Sequence, residues 1–348
     1  SMTAGSANRA GGGSYNGMLK GSGEVTFKAA RLAPATFSDF VVDLSADPDS
    51  RVTITQNGTP GPLLSAAGRI EFKADTIDHE GTVAAPLGEI VFAGDTVTLG
   101  ASSKTSVAAN GLIPLGITDQ SGRIWNYLSG SYTVSAPEKA IRINAANSEV
   151  KSGATLDLSG GGDAYAWEFT PGPGGKTDVL APSISSDPYT FAILPGWSGN
   201  FAPADAQYQA FYNTSNATAI TQSNGAVSYR YDAIPSLKPG DQISLGNNPE
   251  GLTGNYTLLP ARYVLLPGAY LVTVKPAQVA VLRNALAQAD GSTLVSGARL
   301  IANADGSYTP YPSQPLTLEL AARGVVQNRA KYEITTASGF FYDEAGAQ

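Results

Sequence analysis

Between Gly68 and Gly111 apolar and polar residues alternate in short bursts, each ending at Gly or Asn: GRIEFKADTIDHEGTVAAPLGEIVFAGDTVTLGASSKTSVAANG. Laid over itself at an offset of roughly 20 residues, the stretch sets Gly68 against Gly88, Ile70 against Ile90, Phe72 against Phe92 and Ile77 against Val97. Alternation of this kind predicts half-buried strands. Units this short cannot bury an apolar face alone, so they must stack on one another. With strand spacing in place of helical spacing, the stack predicted is a parallel β-helix. An antiparallel sandwich produces the same local alternation, and only the repeat favours the β-helix.

Flanking segments continue the pattern less regularly, in GEVTFKAARL, DFVVDL, RVTITQNG and KAIRINAANSEVKSGATLDLSGGG. Between Ile113 and Ala136 the period is lost, and GRIWNYLSGSYTV reads as an excursion from one unit. From Asp163 the chain becomes rich in aromatics and proline, which predicts a second β-rich domain of short strands and ordered loops. Within it YTLLPARYVLLPGAYLVTV sets Tyr256, Tyr263 and Tyr270 in a heptad that also carries Pro260 and Pro267. Proline excludes a coiled coil or a buried helix, and Arg262 with two prolines argues against a membrane span. The expectation is three strands, 256–259, 263–266 and 270–274, with corners at Pro260-Ala261 and Pro267-Gly268. PAQVAVLRNALAQADG (276–291) is where a helix competes, ending in a turn at ADGS. The expected organisation is therefore a flexible lead-in over 1–22, β-helix over 23–162, a side domain over 163–325, and a return segment or frayed end over 326–348.

Composition narrows the function. The chain has 348 residues, a formal charge of −7, 39 Gly and 22 Pro, and only 15% charged residues. An acidic chain of this kind lacks the basic face that phosphate neutralisation requires, so nucleic acid is a poor partner. No apolar run reaches spanning length, so no membrane insertion is expected. Cysteine is absent and His79 is the only histidine, which leaves no soft-metal site and predicts no cofactor. Absence of thiols also suits a protein exported unfolded through an oxidising compartment.

GTVAAPLGEIVFAGDTVTLG resembles the rungs of filamentous haemagglutinin-like exoproteins, the cargo of bacterial two-partner secretion. GATLDLSGGGDAYAWEFTPGPGGKTDVL, YTFAILPG and YTLLPARYVLLPGAYLV are similar to the region downstream of the rungs in the large members of that group. The resemblance covers most of the chain from about Gly68 onward. It implies an all-β fold, a right-handed parallel β-helix with an additional side domain, in an internal or C-terminal piece of a secreted or cell-surface adhesin. The partners implied are an outer-membrane transporter during export and then a host or neighbouring-cell glycan or protein.

Candidate chemistry is sparse. His79, in DTIDHEG, is expected in a solvated turn and not as a general base. Other β-helices cleave polysaccharides with two carboxylates held roughly 5 to 9.5 Å apart. Here the candidates are Asp163 and Glu168, flanked by Tyr165 and Trp167, with Asp178, Asp187 and Asp205 further along. Asp163 after three glycines also fits a turn acid, and Glu168 between Trp167 and Phe169 fits an outward strand residue. Asp47 and Asp49 lack the spacing of a calcium loop. As ligand-binding candidates the sequence offers Tyr165, Trp167, Tyr189, Trp197, Tyr208 and Tyr212, rings that can stack on a sugar or protein surface. Alternatively they seal a small β-core.

Overall fold

The computed structural model describes residues 15–109, 111–118, 124–126, 132–133, 139–159, 162–171, 178–180, 190–197, 202, 220–221, 227–228, 237–275, 282, 284–303 and 307–346. It is mostly β and divides into two compact units, one formed by residues 1–167 with 334–348 and the other by 168–333.

The first unit opens with β1 (Tyr15–Lys20), β2 (Glu24–Ala29), β3 (Ser38–Asp43), β4 (Arg51–Gln56), β5 (Arg69–Lys73), β6 (Thr76–Glu80) and β7 (Thr82–Ala84). It continues through β8 (Glu89–Leu99), β9 (Lys104–Ser106), β10 (Gly111–Thr118), β11 (Trp125–Asn126), β12 (Tyr132–Thr133), β13 (Ala140–Val150), β14 (Thr155–Asp157) and β15 (Gly162–Thr170). The largest sheet runs β1-β3-β5-β8-β6-β4-β2 with β13 also on β8, and every pairing in it is parallel. β7, β9 and β14 form a second parallel sheet.

The register follows the sequence repeat. Ile70 pairs with Ile90, Phe72 with Phe92 and Ile77 with Val97. Arg69 donates to Glu89, 20 positions on, at 2.8 Å. Beyond β9 the interval lengthens: Ser106 reaches Asp157, 51 positions on, because the antiparallel β10-β11-β12 excursion intervenes. Lys20 at one end and Tyr15 at the other bound a strand paired along β3, so the lead-in expected over 1–22 is corrected from residue 15 on.

Inward residues build one column. Ile70, Phe72, Ile77, Ile90, Phe92, Val97 and Leu99 are buried together, and Phe72 stacks on Phe92 with centroids 5.6 Å apart. Burying each such side chain stabilises the fold by about 2 to 3 kcal/mol. Outward, Arg69 spans Asp39 and Glu89 in a charge ladder across three strands. At one corner Gly88 crosses Gly68 so closely that a Cβ there would lie 2.0 Å from the Gly68 carbonyl oxygen. Just before that corner Phe37, Ala67 and Leu87 adopt φ of 53°, 55° and 53°. Left-handed backbone costs a non-glycine residue about 1 to 2 kcal/mol. It persists here because each amide donates to the next pass, Phe37 to Ala66, Ala67 to Pro86 and Leu87 to Val107. The three side chains pack on a satellite core containing Trp125, Ile113, Leu115 and Phe340.

The second unit contains β16 (Thr190–Ile193), β17 (Ile220–Thr221), β18 (Val227–Ser228), β19 (Gln242–Leu245), β20 (Gly254–Thr257), β21 (Leu259–Pro260), β22 (Tyr270–Val274), β23 (Leu286–Ala287), β24 (Thr293–Ala302), β25 (Tyr308–Ala322) and α1 (Arg323–Arg329). Its main sheet, β20-β19-β24-β25-β22-β16-β21, is antiparallel throughout. The chain then returns through β26 (Lys331–Thr336), which completes the sheet β12-β11-β10-β15-β26, and α2 (Ala337–Gly346).

Of the three strands expected in the Tyr/Leu/Pro phrase, the outer two form and the middle one does not. Residues Ala261–Leu265 make a buried 3-10 helix. β21 and β22 already occupy both edges of β16, so a buried segment between them must satisfy its own backbone groups, as Leu266 does by donating to Tyr263. The helix competing over 276–291 gives way at its end to β23, and ADGS is the expected turn, with Gly291 at φ 87°. Its earlier part lies largely outside the described residues.

Candidate functional site

The carboxylate pair separates. β15 is one uninterrupted strand, the bulge in its pairing lying at Pro114–Gly116 of β10. Asp163 and Glu168, an odd number of residues apart on it, therefore face opposite sides at about 16 Å, given a rise of ~3.3 Å per residue. That exceeds the span across which two acids share one glycosidic bond. Nor is Asp163 a turn acid. Its carboxylate accepts from the Ser338 amide at 3.2 Å and from the Ser338 hydroxyl, while Thr336 accepts from Gly339. Two side chains thus cap the start of α2, and the helix seats Phe340 and Phe341 against Trp125. Glu168 is half-buried, not freely outward.

His79 is not in a turn. It occupies an inward position of β6 between outward Asp78 and Glu80, fully buried, with its ring 5.4 Å from that of Phe92. Burial pushes its pKa down to about 4, and the Lys104 main chain and Glu80 carboxylate offset only part of this. Neither ring nitrogen makes a well-formed hydrogen bond. The neutral ring serves as a core aromatic. The alternation T-I-D-H-E contained this signal, since His79 shares the parity of Ile77.

Among the aromatic ligand candidates, Tyr165, Trp167 and Trp197 are buried at 1%, 5% and 8% exposure. They fill interiors, which removes them as stacking platforms. Tyr189, Tyr208 and Tyr212, like Asp187 and Asp205, lie outside the described residues. Asp178 accepts from the Tyr332 hydroxyl at 2.7 Å, and that hydroxyl in turn accepts from the Val179 amide, tying the 178–180 segment to β26. Burial first, then the Asp178 charge, raises the Tyr332 pKa well above the ordinary phenol range. Asp47 accepts from the Asp49 amide within its own turn and from the Gly23 amide 24 positions earlier, so its carboxylate is engaged by main chain.

Two features had no sequence signal. In the second unit Glu319, on β25, receives both Lys275 and Arg329, and Arg329 also holds Asp290. Desolvation opposes ionisation of Glu319, but the two cations outweigh it and its pKa is lowered. In the first unit, β13 has its inward residues partly open to solvent, unlike those of β8 directly beside it. No group of three or more acidic or histidine side chains among the described residues could hold a metal ion, and no described helix is long and apolar enough to cross a membrane. Comparison with protein-family models, curated proteins and solved structures finds no match.

Proposed function

We propose that this chain belongs to a secreted or surface-displayed bacterial exoprotein of the filamentous haemagglutinin kind and acts as an adhesin. In this reading the parallel strands wind as a right-handed β-helix that forms a rigid stalk. The second unit is the part that meets a host or neighbouring-cell glycan or protein. The observation that carries the proposal is the in-register parallel stack at 20-residue spacing, with identical or similar apolar residues above one another. Stacking of this kind pairs backbone groups between passes and turns a weakly charged sequence into an extended, stiff element. Such an element suits reach better than a catalytic cleft. Export through an outer-membrane transporter and the surface location belong to the same proposal and rest on the sequence resemblance.

The rival is a polysaccharide hydrolase or lyase using Asp163 and Glu168 or acids contributed from other rungs; the separation of Asp163 and Glu168 leaves it only the latter. One assay separates the two. The full chain is tested for binding to immobilised glycans and to cells, and for release of reducing ends or unsaturated sugars from acidic and neutral polysaccharides, beside Asp163→Ala and Glu168→Ala. Binding without turnover, unchanged in both variants, is expected. Turnover that disappears in either variant refutes the adhesin as sole function, and a blank in every binding format refutes it as an adhesin at all.

A further inference from the structure

The parallel stack ends at β13. Ile141, Ile143, Ser148 and Val150 pair with Ile90, Phe92, Val97 and Leu99, all buried members of the central column. Ile141 and Ile143 are only half-buried, Val150 is 51% exposed, and Leu156 on β14 is 40% exposed although its neighbour Thr105 on β9 is fully buried. Inward positions that would be sealed by another layer thus face solvent. Among the described residues β13 also has no partner along its far edge. A long unpaired edge with apolar residues beside it invites another strand.

The sequence of β13 says which strand. Pairing with β8 runs to Ala145 opposite Gly94 and resumes at Asn147 opposite Thr96. At this bend Gly94 lies so close to Ala74 that a Cβ would be 2.3 Å from its carbonyl oxygen. Across the bend the inward parity switches from odd, Ile141 and Ile143, to even, Ser148 and Val150. An antiparallel pairing of β13 with a second copy of itself keeps inward residues facing inward only if odd positions meet even ones. Centring the two-fold axis on the bend then leaves two registers, with the axis between Ala145 and Ala146 or between Ala146 and Asn147; the second sets Arg142 against Lys151, and the first avoids that clash of like charges. In the first register the matches are as follows. Ala145 meets Ala146 of the other copy, Ile143 meets Ser148, Ile141 meets Val150, and Arg142 meets Glu149. The last match selects this register over its neighbour, because it places opposite charges together twice on the outward side. Arg142 has a half-exposed side chain and already reaches Glu89, so its guanidinium can bridge two carboxylates.

We propose that two copies of this chain associate end to end through antiparallel β13–β13 pairing about a two-fold axis at the Ala145–Ala146 bend. The pairing covers the open end of each apolar column and completes the backbone hydrogen bonding of both edges. β13 contributes eleven residues a side to the pairing, fewer than a standard stable interface, so the association is sought up to hundred-micromolar concentration. This association does not depend on the adhesin reading.

The test is the mass of the full chain by light scattering and sedimentation over micromolar to hundred-micromolar concentration, with circular dichroism as the folding control. The wild type is expected to dimerise. Glu149→Arg, a change at an exposed position, sets arginines against each other and weakens dimerisation at least tenfold, while Glu149→Arg with Arg142→Glu restores it. Because the chain has no cysteine, Ile141→Cys with Val150→Cys supplies a second reading. Those positions lie on opposite arms of the bend near the two ends of one strand, well beyond the Cα separation a disulfide spans, so an oxidised species must be an intermolecular dimer. A monomer at every concentration overturns the proposal. So does a dimer indifferent to Glu149→Arg, or an open-ended series of oligomers, which would mean that β13 receives the opposite end of the stack.

Discussion

His79 makes the buried column sensitive to acid, by an amount that follows from its position. The ring is fully buried and stacked on Phe92, and its pKa falls from 6.5 to about 4 on folding. Below 6.5 the unfolded chain accepts a proton that the folded core refuses. Stability therefore declines as pH drops from about 6.5 to about 4 and levels off below that. Integrating over this window gives a loss of about 3 kcal/mol. Carboxylates such as Asp43 and Asp157, held below their usual range by serine hydrogen bonds, add their own losses at lower pH, so a comparison must isolate the histidine. His79→Phe keeps an aromatic ring against Phe92 and removes the titration. Urea unfolding of both proteins, followed by far-ultraviolet circular dichroism from pH 7.5 to 4, should show their stability difference shifting by about 3 kcal/mol in favour of the variant. Parallel curves would falsify the assignment of a neutral, buried imidazole. His79→Leu guards against a fault particular to the phenyl ring and should show the same pH dependence.

Two further outcomes follow from the packing. Gly88→Ala places a methyl against the Gly68 carbonyl at the crowded corner and should cost more than about 2 kcal/mol or abolish soluble expression. Gly324→Ala, in α1 with nothing within 4 Å of the new methyl, should instead be neutral or stabilising by up to about 1 kcal/mol; equal effects in thermal melts would contradict the close approach. Asp163→Ala removes a cap worth about 1 kcal/mol from α2, so amide exchange at Phe340 and Phe341 should quicken roughly fivefold while that of Phe72 and Phe92 stays unchanged. Unaltered exchange in α2 would leave Asp163 without the role assigned to it.

Local alternation made the strands of the stack legible. Phe72 and Phe92, or Ile77 and Val97, could be aligned from sequence because parallel pairing between like passes preserves the interval between them. His79 shares that parity, and it is buried where its polarity predicts solvent because its place in the alternation outweighs the polarity of the ring. The centre of the Tyr/Leu/Pro phrase departs from the strand its pattern predicts for another reason. Whether residues 263–266 form a strand depends on a free sheet edge, and edge occupancy is set by distant β16. Asp163 and Glu168 lay close in sequence, yet strand geometry sends them to opposite faces. The aromatic candidates carried no mark separating a ring that lines a surface from one that fills a core.

The sequence by itself determined the strand-forming segments of the parallel stack, its 20-residue interval and its inward set of apolar residues, since these depend on spacing along one chain. Tertiary structure decided that Asp163 caps a helix 175 positions away, that Glu319 gathers two cations, and that the column stays open at β13. Each of these depends on which distant segments lie side by side, and on which edges and charges are left for a neighbour once the backbone has paired.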